Sequence, residues 1–122
     1  LAGDWVHMFP EGGRTRDPEA RMMPDFKGGT GWLIAQAKPL VLPFYHYGMQ
    51  NILPVGSSRP RWGKRVRVVF GEPLDCNSEW IDDACLRRAG DKTDGPKLWD
   101  AIAAELYDML AAMERRVHPN AA

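Results

Sequence analysis

The chain has 122 residues and a mass of 13.7 kDa, which suffices for one small domain but not for two. Apolar residues make up 44% and charged residues 26%, the balance of an ordinary globular protein. The formal net charge is zero, so composition gives no support to nucleic-acid binding, and it predicts that any membrane binding depends only weakly on salt.

The first predicted element is a buried strand over residues 5–9, which are mostly apolar, aromatic or β-branched. Pro10 ends this strand, because proline has no N–H for a ladder and favours an extended residue before it. Gly12 and Gly13 come next and permit backbone angles that other residues avoid. The sequence therefore predicts a tight turn whose amides can approach a ligand closely.

Charged side chains surround the predicted turn: one carboxylate, Glu11, and two guanidinium groups, Arg14 and Arg16. Arginine binds phosphate through a planar fork of N–H donors, so this arrangement favours an anion site, above all for phosphate. A second interpretation remains, in which Glu11 and Arg14 form a local ion pair that only shapes the turn.

The middle of the chain alternates between loops and short ordered elements. We expect a surface loop at 17–25, a helix at 30–38 with glycines that pack closely on a sheet, and a core strand at 40–44. A loop with two prolines follows at 51–62. Residues 65–70 then predict another strand, ended by the glycine and proline after it.

The C-terminal third is predicted to be helical: a short helix at 79–88, a polar linker at 89–95, and a long helix at 94–118. Apolar residues recur at helical spacing in the last helix and predict one stripe of core contacts. They are Leu98, Ile102, Leu106, Met109, Leu110, Met113 and Val117. The order of elements predicts an α/β fold with a mixed sheet and flanking helices, as a single domain over 1–122 with a strand-rich half at about 1–74.

Cysteines and histidines do not form a ligand pattern. Cys76 and Cys85 are too far apart for a Cys-x-x-Cys hook, and two reduced thiols are expected. His7, His46 and His118 are scattered along the chain, which argues against a zinc site.

Four blocks of sequence, taken in order, resemble one enzyme family. Residues 9–14 read Phe-Pro-Glu-Gly-Gly-Arg and resemble the Phe-Pro-Glu-Gly block of the glycerolipid acyltransferases, while 41–44 resemble that family's later block centred on proline. The His-x-Gly-Met run and the Leu-Pro that follow within 43–54 are similar to the tafazzin branch, which includes plant N-acylphosphatidylethanolamine synthase relatives. Weaker similarity continues at 66–74 and 98–102.

This resemblance implies an enzyme that transfers a fatty acyl chain onto a lysophospholipid such as monolysocardiolipin. It also implies that the enzyme works at a membrane surface, in a mitochondrial membrane. The acyl donor it implies is either an acyl-CoA or a phospholipid, and neither a metal nor a redox cofactor is implied. By position in the family's blocks, Glu11, Gly12, Gly13 and Arg14 would hold the acceptor phosphate, and Pro43 and its neighbours would line the acyl side.

The family's catalytic base is a histidine in a His-x-x-x-x-Asp block, and that block is absent from this chain. The aspartate of this block is the fifth residue after the histidine. The fifth residue after His7 is Gly12 and the fifth after His46 is Asn51, and the chain ends before the fifth position after His118. The family's base normally precedes the Phe-Pro-Glu-Gly block. We therefore expect the C-terminal portion of an acyltransferase domain, with no catalytic residue in it; the alternative is a non-catalytic module that binds phospholipid headgroups or a membrane interface.

Two further residues have two interpretations each. His46 is either a hydrogen-bonded histidine beside the core or a base, and the first is favoured. Trp62 belongs either to the core or its rim, or, with Arg61 and Lys64 beside it, to a lipid interface.

Overall fold

The computed structural model describes residues 3–17, 19–54 and 56–118; the remaining positions of the predicted 1–122 domain lie outside the described residues. The elements follow in this order: helix α1 (Gly28–Ala37), strand β1 (Leu40–Val41), strand β2 (Phe44–Tyr47), helix α2 (Met49–Ile52), strand β3 (Arg67–Phe70), strand β4 (Leu74–Asp75), helix α3 (Ser78–Ala89) and helix α4 (Gly95–Val117). Helices and small sheets thus alternate, as an α/β sequence predicts. Within the described ranges no helix is both long and apolar enough to cross a membrane.

Helix α4 is the scaffold on which the other elements pack. It has 23 residues, with Pro96 in its first turn, where the missing N–H costs nothing. Its predicted stripe is largely confirmed, since Ile102, Leu106, Met113 and Val117 are all buried. Two hydrophobic clusters divide the stripe, one around Ile102 and Leu106 and the other around Met113 and Val117.

Helix α1 packs on α4 rather than on a sheet, which corrects the expectation for its glycines. A Cβ placed on Gly31 would lie 2.0 Å from the backbone carbonyl oxygen of Trp99. Only glycine therefore fits at this crossing, and it allows Ile34 to reach the first cluster. α1 ends at Lys38, whose N–H donates to the Ile34 carbonyl.

The strands form two separate antiparallel ladders, β1 with β4 and β2 with β3, and not one mixed sheet. In the second ladder Phe44 lies opposite Phe70 and Tyr47 lies opposite Arg67. The core strand expected at 40–44 is wrong in its bounds and its burial. It breaks at Pro43, which cannot donate to a ladder, and Leu40 is exposed.

The buried strand expected at 5–9 is also wrong: this segment has no regular secondary structure and is not part of a sheet. Trp5 is 94% exposed and Phe9 is 61% exposed. Strand propensity reflects fit to a pleated surface beside a partner strand, and none pairs with this segment in the described part of the chain.

The β2–β3 ladder has one covered face and one open face. Tyr45 and Val69 point to α4 and join the cluster of Met113. Because side chains alternate along a strand, the neighbouring residues face the other way. That open face carries Phe44, His46, Val68 and Phe70.

Helix α3 begins at an asparagine cap, in which Asn77 Oδ1 accepts from the Trp80 amide at 2.9 Å. Cys76 and Cys85 lie on either side of this start, both buried and not bonded to each other, so the prediction of two free thiols is confirmed. Burial, with a smaller effect of the Asp75 charge, raises the pKa of Cys76 to about 11.

Candidate functional site

The predicted glycine turn is present. The Gly12 amide donates to the Phe9 carbonyl at 3.1 Å, and Gly12 has a φ of 72°, in the left-handed region that favours glycine. The Lys27 amide donates to the Pro10 carbonyl at 2.8 Å and ties the turn to the start of α1. A Cβ on Gly13 would meet no atom within 4 Å, so the turn is open to solvent on that side.

Glu11 and Arg14 contact two different segments and not each other. Glu11 Oε2 accepts from the Met23 amide at 2.7 Å, and Arg14 Nη2 donates to the Leu53 carbonyl. Among the ion pairs of the described residues there is none between Glu11 and Arg14, so the local ion pair is not what shapes this turn. Arg14 remains exposed, as does Arg16.

A second carboxylate, which sequence reasoning missed, holds the neighbouring amide. Glu114 Oε2 accepts from the Met22 amide at 2.6 Å and from the Tyr45 hydroxyl at 3.3 Å. Burial of Tyr45, and then the charge of Glu114, raises the pKa of that phenol far above its ordinary range. Glu11 and Glu114 therefore hold successive amides of one loop. The signal was available, because Glu114 follows Leu110 by four positions and so shares the inward face of α4.

The end of α4 fixes the same loop at a third point. The His118 ring hydrogen-bonds through Nε2 to the Glu19 carbonyl, and the ring stands edge-on to Tyr47 at 4.8 Å. The loop predicted at 17–25 is thus present in its described residues, 17 and 19–25, and it is held against the C-terminal turn of α4.

Aromatic rings connect the N-terminal segment to the open face of the β2–β3 ladder. The His7 ring lies 4.8 Å from Phe9 and 5.4 Å from Phe44, and the Phe9 ring lies 6.5 Å from His46. Neither histidine is hydrogen-bonded to a carboxylate within the residues the structure describes. A general base oriented by an acid is therefore not formed here by either of them.

Pro43 is buried, and its contacts are a backbone hydrogen bond and close packing. Its carbonyl accepts from the Gly71 amide at 2.8 Å. A Cβ on Gly71 would lie 3.0 Å from Pro43 Cγ and 3.3 Å from Met113 Sδ, so these groups pack tightly. The exposed apolar side chain beside it is Leu42.

Three of the sequence blocks meet in space. Arg14 of residues 9–14 contacts Leu53 of 43–54, and Pro43 contacts Gly71 of 66–74. A shallow cleft of about 300 Å³ lies between α3 and α4, lined in part by Arg88 and Lys97, and shares no residue with the turn. No group of three or more potential metal ligands occurs in the described ranges.

A Drosophila melanogaster protein named Tafazzin is 34% identical to the chain over 116 residues, or 93% of this chain and 30% of that protein. A Dictyostelium discoideum protein named Taffazin is 34% identical over 91 residues, or 66% of this chain and 31% of that protein. The chain is related to the tafazzins. It spans about a third of the length of these curated tafazzins. No protein-family model matches the chain, and no solved structure matches it.

The tafazzin relationship confirms the family resemblance read from the sequence blocks. The fold described above has no solved structural relative beside it, so the α/β arrangement rests on the helices and ladders of this chain alone.

Proposed function

We propose that this chain is the acceptor-side part of a tafazzin-like phospholipid acyltransferase or transacylase. The longer protein would transfer a fatty acyl chain onto a lysophospholipid of the monolysocardiolipin type. The observation that carries this proposal is the tafazzin relationship over 93% of the chain. The donor is an acyl-CoA or a phospholipid, and the setting is a membrane surface, in mitochondria.

The turn supplies groups suited to the acceptor phosphate. A guanidinium has five N–H donors in a fork, and the Leu53 carbonyl engages the Nη2 end, so Arg14 has further donors for phosphate oxygens. Gly13 gives close backbone approach on the open side of the turn, and Gly12, which lies against the Lys27 side chain, supplies the positive φ that forms the turn. Glu11 holds the loop beside them through the Met23 amide. Pro43 fixes the backbone beside the β2–β3 ladder through Gly71, and its exposed apolar neighbours would line the side of the site that holds the acyl chain.

The reaction also needs a base that removes the proton of the acceptor hydroxyl as it attacks the acyl carbonyl. His7 and His46 are packed among aromatic rings and have no orienting carboxylate. We therefore place the base in the His-x-x-x-x-Asp block of a longer polypeptide. General-base assistance is worth on the order of a hundredfold to ten-thousandfold in rate, so the chain as given should be inactive.

The test measures acyl transfer to monolysocardiolipin by this chain and by a polypeptide extended upstream, with Arg14→Ala in the extended form. Loss of charge-assisted hydrogen bonds, about 1.5–3 kcal/mol, predicts a ten- to hundredfold fall in kcat/KM. Arg14→Lys should restore only part of it, because an ammonium cannot form the bidentate fork.

Arg116→Ala is the matched control, since it removes the same charge from an exposed arginine in the last turn of α4 that is not part of the predicted anion site. It should leave kcat/KM nearly unchanged, and both variants should melt near the parent temperature. Turnover by the 122-residue chain, or equal effects of the two alanine variants, would contradict the proposed roles. An extended form that binds the headgroup without turnover would favour the non-catalytic module.

A further inference from the structure

The zero net charge of the chain hides a separation of charge along it. The 46 residues from Phe26 to Gly71 contain seven Lys or Arg and no Asp or Glu. Five of these cations stand within residues 59–67, which we call the basic loop: Arg59, Arg61, Lys64, Arg65 and Arg67. All five are exposed, and within the described residues none of them forms an ion pair with a carboxylate.

The basic loop is anchored at two points, Arg61 and Arg65, on either side of Trp62. The Arg61 amide donates to the Ile52 carbonyl at 2.6 Å. On the other side the Arg65 carbonyl packs so tightly on Gly48 that a Cβ there would lie 2.2 Å from it. Between these anchors Trp62 is 92% exposed. The indole of Trp62 therefore stands in solvent among the exposed cations of the basic loop.

The basic loop adjoins the proposed acceptor turn. Arg14 donates to the carbonyl of Leu53, and the basic loop is anchored on the carbonyl of the preceding residue, Ile52. Exposed apolar side chains lie beside these contacts, namely Met49 and Leu53. Cations, an exposed tryptophan and apolar side chains thus form one continuous surface next to Arg14.

We propose that the basic loop is a docking surface for an anionic lipid bilayer, with Trp62 at the interface and the cations over anionic headgroups. Tryptophan suits the boundary between headgroups and acyl chains, and Met49 and Leu53 add apolar area. The choice of lipid over other polyanions also rests on the phospholipid function proposed above. This proposal replaces the expectation that membrane binding depends only weakly on salt. That expectation used the net charge of the whole chain, in which the carboxylates outside residues 26–71 cancel the cations of the basic loop.

The expected strength follows from the charges. Each Lys or Arg near an anionic leaflet contributes about 1 kcal/mol, or roughly fivefold in partitioning, and the effect decays within a Debye length of about 10 Å at 0.1 M salt. Arg59→Gln with Arg61→Gln should therefore lower partitioning about 25-fold. Trp62→Ala should lower it on the order of tenfold, and this loss should persist at high salt.

The experiment is sedimentation of the 122-residue chain with phosphatidylcholine vesicles, with and without phosphatidylserine, over a series of salt concentrations. Binding should require phosphatidylserine and fall as salt rises. The matched control is Lys92→Gln with Lys97→Gln, two exposed lysines near the start of α4, which removes the same charge and should leave partitioning unchanged. Lys64→Gln gives a second variant, which touches neither anchor of the basic loop.

Equal binding to vesicles without phosphatidylserine would overturn the proposal, as would equal losses in the control. Retention of single- or double-stranded nucleic acid by a chain that does not bind vesicles would also overturn it. Vesicle binding needs no acyl transfer, so vesicle binding by this chain together with an upstream-extended polypeptide that transfers no acyl group would refute the proposed catalysis and not the docking surface.

Discussion

The crossing of α1 and α4 gives the sharpest test of the fold. Gly31→Ala would place a Cβ 2.0 Å from the Trp99 carbonyl oxygen and 2.6 Å from Trp99 C and Cα, all backbone atoms. An ordinary carbon contact is about 3.5 Å, so the helices must separate by about 1.5 Å. Overpacking of this depth costs about 3 kcal/mol, and the better helix propensity of alanine returns about 1 kcal/mol. The expected net loss is about 2 kcal/mol.

Gly29→Ala is the matched control, because it makes the same substitution in the same helix. A Cβ there meets nothing within 4 Å, and the residue does not have a positive φ. It should stabilise the chain by up to about 1 kcal/mol. For a chain of 122 residues, 1 kcal/mol corresponds to about 4 °C in Tm.

Thermal and urea unfolding of the two variants measure the difference. Gly31→Ala should melt about 8 °C below the parent, and Gly29→Ala up to about 4 °C above it. If Gly31→Ala were as stable as Gly29→Ala, α1 would not cross α4 at this position, and the description of the first hydrophobic cluster would have to be abandoned.

Two further predictions concern buried polar groups. Glu114→Ala leaves the Tyr45 hydroxyl and the Met22 amide without their acceptor, which should lower the free energy of unfolding in urea by about 2–4 kcal/mol and speed hydrogen exchange at Met22. Glu114→Gln should recover part of this stability. Unchanged hydrogen exchange at Met22 in Glu114→Ala would exclude the contact. Cys76 keeps its proton in the folded chain to a pH of about 11, whereas its ordinary pKa is 9.0. The unfolded state therefore binds fewer protons than the folded state between those values, so the free energy of unfolding should fall as pH rises from about 9 to about 11. In Cys76→Ala the free energy of unfolding should fall less steeply over this range of pH. An equal dependence on pH in the variant and the parent would show that the thiol is not buried.

Three of the four helices in the described residues were predictable from the sequence, whereas α2, Met49–Ile52, was not predicted and overlaps the start of the loop expected at 51–62. The helix expected at 30–38 is Gly28–Ala37, that at 79–88 is Ser78–Ala89, and that at 94–118 is Gly95–Val117. Their signals are local: the asparagine cap of α3, Pro96 in the first turn of α4 and the apolar repeat along α4 require no distant partner.

The strands and the site contacts depend on residues far apart in the chain. The segment 5–9 has the composition of a strand but no partner strand within the described ranges, and 40–44 is divided by Pro43 between two ladders. Arg14 and Leu53 are 39 positions apart, and Glu114 and Met22 are 92 positions apart. Composition and spacing show that Arg14 and Glu114 are available, but not what they contact.

The length of α4 determines which of these perturbations reach the proposed site. Trp99 and Glu114 are fifteen positions apart, about 22 Å along a helix with a rise of 1.5 Å per residue. The first belongs to the crossing with α1, while the second holds the loop beside the glycine turn. Energetic effects at sites more than about 10 Å apart without shared partners usually add. A change at Gly31 should therefore lower stability without moving the Met22 amide. A change at Glu114 alters the support of the turn directly, because the Met22 amide loses its acceptor and the loop is then held by Glu11 at Met23 and by His118 at Glu19.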